Sequence, residues 1–173
     1  MRVLIIGASG FIGHYLQRRL LQKSGFDITG TYNSRTPADV DQSWCPLEIT
    51  DHNRLNQIFL EARPEVVVLL AAIADVKTAE MGPGRATEVN VDGARQVARL
   101  CTKYHARLIF LSSEYVFRGD RGNYQENDEP DPNTHYGHTK WQAELAVADE
   151  ASQWSIVRTS LVYGWPIIGR RNL

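Results

Sequence analysis

The stretch Gly7-Ala8-Ser9-Gly10-Phe11-Ile12-Gly13 (GASGFIG, residues 7–13) follows directly on the apolar run Val3-Leu4-Ile5-Ile6. A short, β-branched, nearly unbroken apolar run suits a strand buried on both faces. After the glycines, Phe11, Ile12, Tyr15, Leu16 and Leu20 recur at helical spacing. A helix is therefore expected from Phe11 to Gln22, stopped by Gly25. A glycine turn in this place lets backbone approach a diphosphate at a helix N-terminus, where free N–H groups and the positive dipole end favour anions. The spacing is G-x-x-G-x-x-G, and with 13 glycines in the chain the spacing alone decides little. A plain strand-to-helix bend would use the same residues. Its position between the first strand and the first helix favours a nucleotide site.

Outward from that turn, strand-like and helical stretches alternate. Strands are expected at Arg2 to Ile6, Asp27 to Tyr32, Trp44 to Ile49, Glu65 to Ala72, Arg107 to Ser112 and Trp154 to Tyr163. Helices are expected from an Asp51 cap through Glu61, from Arg85 to Tyr104, and from Thr134 to Glu150. Repeated β-then-α units with continuous apolar strands predict an α/β fold, a doubly wound parallel sheet of the Rossmann type. The loop from Arg118 to Asn133, rich in Gly, Asn, Asp, Glu and Pro, reads as a lid or substrate edge.

The 173 residues suit one domain with a sizeable core. A formal net charge of −1 gives no general attraction to nucleic acid or to acidic membranes, and neither is expected as a partner. The basic pair Arg170-Arg171 reads as an exposed polar end. Two distant cysteines, Cys45 and Cys101, carry no metal-ligand spacing, so no metal site is expected and a reducing, cytoplasmic setting is. No apolar stretch reaches membrane-span length.

The end of the second strand indicates which dinucleotide would bind. An acid there would take a ribose 2′-hydroxyl, whereas Thr31-Tyr32-Asn33-Ser34-Arg35 holds none. Asp27 opens that strand instead of closing it. NADPH is the expected cofactor, with Arg35 on its 2′-phosphate and NADH as the alternative; a solvated loop arginine is the competing reading of Arg35. Further on, Tyr136 and Lys140 stand four residues apart, on one helix face. The ammonium is expected to lower the phenol pKa, suiting proton transfer near neutral pH. A surface i,i+4 pair is the alternative. Ser112 and Ser113 close the fifth strand, where a hydroxyl could hold a substrate carbonyl.

With these in place, the chain resembles the extended short-chain dehydrogenase/reductases, specifically their dTDP-4-dehydrorhamnose reductase-like (RmlD substrate-binding-type) branch. The resemblance rests on GASGFIG, LEITD, LLAAIADVKTAE, VNVDGA, FLSSEYVFRG, YGHTK and VRTSLVYG, and covers nearly the whole chain. It implies that Tyr136 is the proton donor and that Lys140 is its partner, also binding the nicotinamide ribose. It places Ser113 in the catalytic Ser/Thr position and Glu114 in a slot that touches substrate. Gly7, Gly10, Phe11 and Ile12 match its diphosphate turn, Thr31 its ribose position, and Glu48 with Ile49 its adenine pair. Ala71, Ala72 and Ile73 match the strand end beside the cofactor, and Asn90 the helix asparagine that supports the lysine region. His135 and His138 read as surface or loop residues.

The resemblance implies NADPH-dependent reduction of a keto group, most closely that of a nucleotide-linked 4-keto-6-deoxysugar, and is compatible with a homodimer. Two departures stand out: Glu48 replaces the family's usual Asp, and Arg118 replaces the acid of its YVFDG pattern. Residues 1–173 read as the NAD(P)-binding domain, with the family's substrate-binding lobe expected beyond residue 173. That lobe's absence from the chain keeps a second reading open, a non-catalytic NADP-binding regulatory subunit. A sugar-nucleotide epimerase or dehydratase is a third.

Overall fold

The computed structural model describes residues 1–37 and 43–164, so the Arg170-Arg171 pair lies outside the described residues. The strands are β1 (Arg2–Ile6), β2 (Asp27–Tyr32), β3 (Trp44–Pro46), β4 (Val66–Leu69), β5 (Arg107–Ser113) and β6 (Trp154–Thr159). The helices are α1 (Phe11–Leu21), α2 (His52–Ala62), α3 (Val76–Met81), α4 (Pro83–Thr87), α5 (Gly93–Lys103) and α6 (His135–Glu150). All the strands pair in parallel, in the order β3-β2-β1-β4-β5-β6. That order reverses between β1 and β4, and open α/β sheets bind ligands at this switch point, outside the carboxyl ends of their strands.

Alternation along the strands feeds two cores. Leu4, Ile6, Val67, Leu69, Leu108 and Phe110 face one side, packed with Leu55, Ile58 and Phe59 of α2, Val97 and Ala98 of α5, and Ala143 and Val147 of α6. Val3, Ile5, Ile28 and Val68 face the other, against Leu16 and Leu20 of α1. The continuous apolar reading of β1 and β4 follows from this two-sided burial.

Several boundaries depart from the sequence expectation. β4 ends at Leu69, not Ala72, because Leu70 N and Ala71 N both donate to the Ile6 carbonyl, at 2.9 and 3.0 Å, which breaks the ladder. β3 stops at Pro46, not Ile49, having paired with Gly30, Thr31 and Tyr32 alone. β6 ends at Thr159 rather than Tyr163. The helix expected from Arg85 to Tyr104 is composite: α4, a π-helical turn Glu88–Asp92, then α5. α3 was not anticipated. Asp75 caps it by accepting from Thr78 N at 2.7 Å, and Gly82 with Pro83 at the next helix start divides it from α4.

The loop from Arg118 to Asn133 is pinned across its length. Phe117 stacks on Tyr124 at 4.5 Å and 10°, Arg118 pairs with Asp131 at 2.6 Å, and Asp131 N donates to the Val116 carbonyl. Among the described residues no helix is long and apolar enough to cross a membrane.

Candidate active site

The glycine turn sits at the switch point. Gly7 holds φ at +91°, and a Cβ there would lie 2.7 Å from Ala71 N, so the turn is wedged against the end of β4. Its N–H donates to Thr31 Oγ1 at 3.0 Å, while Gly10 N donates back to the Gly7 carbonyl at 3.0 Å. α1 then starts with no side-chain cap on Gly10 and no acid in its first turn. Gly10, Phe11 and Ile12 are half-buried. The backbone passes close, the positive end of the helix dipole is unopposed, and no carboxylate occupies the first turn. These residues fit a dinucleotide diphosphate. Thr31 itself is buried, its hydroxyl oxygen accepting from Gly7, so it shapes the turn from beneath.

At the β2–β3 edge, Glu48 Oε2 accepts from Asn33 Nδ2 at 2.9 Å and from Arg85 at 2.8 Å. Arg85 also reaches Glu88 at 2.7 Å and Thr50 Oγ1 at 3.3 Å. Ile49 is buried against the α5 backbone at Gly93, and Arg35 is exposed.

Beyond β4, the half-buried Ala71, Ala72 and Ile73 lead into a polar clasp. Asn90, in the π-helical turn, accepts from Ile73 N at 2.8 Å and donates to the Ile73 carbonyl at 3.1 Å and to Thr139 Oγ1 at 3.0 Å. Thr139 in turn donates to the Tyr136 carbonyl at 2.8 Å. One buried amide thus ties the end of β4 to the turn of α6 between Tyr136 and Lys140.

The sequence of α6 fixes where its tyrosine sits. Thr134 caps the helix, accepting from Gly137 N at 3.0 Å, and Glu80 of α3 accepts from His135 N at 2.6 Å. Gly137 must be a glycine because any Cβ would collide with the Tyr115 carbonyl. His135 Nε2 contacts the Pro83 carbonyl at 3.0 Å, whereas His138 is exposed. Tyr136 is then buried edge-on to Tyr115, with ring centroids 5.6 Å apart. Burial raises its pKa above the ordinary phenol value, and the neighbouring Ser113 hydroxyl works against that shift. Glu114, next to Ser113, is exposed.

Burial of both side chains excludes the surface-pair alternative for Tyr136 and Lys140. Lys140 Nζ donates to the Leu111 carbonyl at 2.7 Å and lies 4.1 Å from the Phe110 ring centroid. Desolvation brings its own pKa down to about 7, with Glu144 pulling it up. Ser112 Oγ is buried without a hydrogen-bond partner. The spacing of Tyr136 and Lys140 was legible; Asn90's clasp, Glu80's cap and the burial of Glu144 were not. Glu144 had one readable signal, its place four residues after Lys140.

The fold order and the glycine turn define a dinucleotide-binding α/β domain, and Ser113, Tyr136 and Lys140 at its β5–α6 end make it one of the extended short-chain dehydrogenase/reductase type. The chain belongs to the family described as RmlD substrate binding domain, which matches residues 1–172. It is 37% identical over 165 residues to dTDP-4-dehydrorhamnose reductase of Streptomyces griseus, covering 94% of this chain and 50% of that protein. It is 31% identical over 163 residues to methionine adenosyltransferase 2 subunit beta of Bos taurus, covering 94% of this chain and 47% of that one. Among solved structures, dTDP-4-dehydrorhamnose reductase of Bacillus anthracis in complex with NADP superposes with a TM-score of 0.77 at 33% identity, covering 95% of this chain and 55% of that one. The chain spans about half the length of the curated relatives it matches.

Proposed function

We propose that this protein is an NADPH-dependent reductase of a keto group on a nucleotide-linked sugar, a 4-keto-6-deoxysugar above all. The observation that carries the reading is a buried Tyr136, its pKa drawn back down by the neighbouring Ser113 hydroxyl, at the same carboxyl end of the sheet as the Gly7 turn. The likeness to reductases named for dTDP-4-dehydrorhamnose supplies the substrate class.

When bound, the cofactor supplies the hydride that reduces the carbonyl carbon. The chain's own residues handle the oxygen. Ser113 donates a hydrogen bond that orients the carbonyl, and the Tyr136 O–H gives its proton to the forming alkoxide. A phenol held above its ordinary pKa stays protonated at neutral pH, as a proton donor must. Lys140, when charged, stabilises the tyrosinate left behind, which solvent then reprotonates. Gly7, Gly10, Phe11 and Ile12 hold the diphosphate, Arg35 takes the 2′-phosphate, and Ala71, Ala72 and Ile73 line the nicotinamide side. On this reading residues 1–173 form the cofactor domain, the sugar is bound by chain outside them, and the protein works in the cytoplasm.

Titration with NADPH and with NADH, read as energy transfer from the four tryptophans, tests the cofactor assignment. A keto-sugar assay on Tyr136→Phe tests the chemistry: reduction should vanish while cofactor affinity holds. Turnover retained in that variant would sink the assignment.

The likeness to methionine adenosyltransferase 2 subunit beta favours a second reading, a cofactor-binding subunit without turnover of its own. Stoichiometric co-purification with a different enzyme, with no keto-sugar reduced, would select it.

A further inference from the structure

Residues 118–133 leave the candidate site and return to it. They begin just after the 3-10 turn Glu114–Val116 that follows Ser113, and they end at Thr134, the cap of α6 before Tyr136. Inside the segment the contacts are its own. Tyr124 Oη accepts from Gly119 N at 3.1 Å and donates to Asp120 at 2.8 Å. Asp128 accepts from Gln125 N at 2.9 Å and pairs with Arg121 at 3.1 Å. The base is closed by the Arg118–Asp131 ion pair and by Asn133 Nδ2, which donates to the Arg118 carbonyl at 3.2 Å. Such a loop, closed at its base and packed by its own side chains, forms a strap that opens as a unit.

Arg158 of β6 ties the strap to the body of the fold. Its Nη1 donates to the Glu126 carbonyl at 3.2 Å, and among the described residues this is the hydrogen bond that joins residues 119–130 to chain beyond the strap. Its Cζ also lies 5.0 Å from the centroid of Phe117, the ring on which Tyr124 stacks at 4.5 Å. Glu144 of α6, buried at 3% exposed, braces the guanidinium by accepting from Nε at 3.0 Å and from Nη2 at 2.7 Å.

A buried ion pair of this kind is weak evidence for stability, because apolar residues of similar volume commonly replace such pairs without loss. A guanidinium, however, holds partners in several fixed directions at once, which an ammonium does not. We infer that Arg158 is a latch: braced by Glu144, it keeps residues 118–133 closed as a fixed edge of the Ser113–Tyr136 site, and the strap opens in one piece when the latch is lost. The Arg118–Asp131 pair adds little to the closure, since its side chains are 53% and 59% exposed. That this edge borders a substrate rests on the reductase reading; the latch does not.

The test needs neither cofactor nor substrate. Arg118 and Arg121 are exposed and each precedes a glycine, so trypsin senses opening of the strap. Cleavage after either, timed by mass spectrometry, is compared with cleavage after Arg95 inside α5, which reports global unfolding. Arg158→Lys keeps a cation on Glu144 but loses the fork, and Glu144→Gln/Arg158→Met removes both charges together. In each variant strap cleavage relative to Arg95 should rise about tenfold, the worth of one charge-assisted hydrogen bond. A pair that merely neutralises charge would leave the strap closed in Arg158→Lys, and parent-like cleavage in either folded variant overturns the inference. Hydrogen exchange tests the parent chain itself: the Gly119, Gln125 and Asp128 amides, all bonded within the strap, should share one protection factor. Protection that differs from residue to residue would overturn the strap as a unit. A chain that shows the latch but reduces no keto-sugar would count against the reductase reading alone.

Discussion

Lys140 Nζ donates to the Leu111 carbonyl at 2.7 Å, from a side chain that is 3% exposed. Burial therefore acts on the charged form, and the pKa falls to about 7. Folding then releases a proton: between that value and the ordinary lysine value, the unfolded chain holds a proton that the folded chain lacks. Stability should rise as pH increases through this window, from about 7 toward about 10. Urea unfolding at pH 7 and at pH 9.5 should show the rise, on the order of 3 kcal/mol. In Lys140→Met that increment should disappear; a slope that survives the substitution would place its origin elsewhere.

Gly7 makes a second prediction. At φ +91°, with a Cβ placed 2.7 Å from Ala71 N, Gly7→Ala meets both backbone strain and a collision. Unfolding free energy should drop by about 2 kcal/mol or more. Gly25 has the same φ with nothing within 4 Å, so Gly25→Ala measures the strain alone. Chemical denaturation of the two variants separates the cost of the clash, and a Gly7→Ala no worse than Gly25→Ala would remove the wedge from the account.

The turn and the alternation of strands and helices were legible because both depend on local pattern: an apolar run, a glycine turn, then a 3.6-residue period. Asp51 also announced itself, since Arg54 N donates to its side chain at 3.0 Å, as a helix cap should. The broken helix around Asn90 was not legible. Nothing in Thr87 to Asp92 signals a π-helical turn, because the widening follows from Asn90 reaching Ile73 and Thr139, at separations of 17 and 49 residues. The burial of Lys140 was not legible for a similar reason. Four-residue spacing puts it and Tyr136 on one face, but the orientation of the ammonium is set by the β5 carbonyls, which sequence spacing does not encode.

Asn90 gives a third prediction. Its amide makes three hydrogen bonds within the fold, two to Ile73 and one to Thr139. Asn90→Leu leaves the half-buried Ile73 N–H and carbonyl without their partner and should cost about 2 kcal/mol or more. Thr139→Val should cost about 1 kcal/mol, having lost single bonds to Asn90 and to the Tyr136 carbonyl. Because the two share a bond, a double-mutant cycle should show a coupling of at least about 0.5 kcal/mol. Strict additivity would mean that the clasp does not act as a unit.

Cofactor preference supplies the last prediction, and it turns on the end of β2. Arg35 is exposed there, whereas the nearby carboxylate, Glu48, is already engaged by Asn33 and by Arg85 at 2.8 Å. A 2′-phosphate would therefore meet a cation and a neutralised acid. A charge-assisted contact is worth roughly 1.5 kcal/mol, close to a tenfold change in affinity. Arg35→Ala should weaken NADPH binding by about tenfold and leave NADH binding unchanged. Arg85→Ala should do more than remove a charge: it loosens Glu48, whose carboxylate then repels the 2′-phosphate and offers an acceptor to a ribose hydroxyl, so NADPH binding should weaken while NADH binding gains. Tryptophan energy-transfer titrations of both variants, repeated at two salt concentrations, check the pair. The Arg35 effect should shrink with salt, as screening weakens an exposed contact. Equal losses for NADPH and NADH in Arg35→Ala would assign that arginine to the fold of the loop and not to the phosphate.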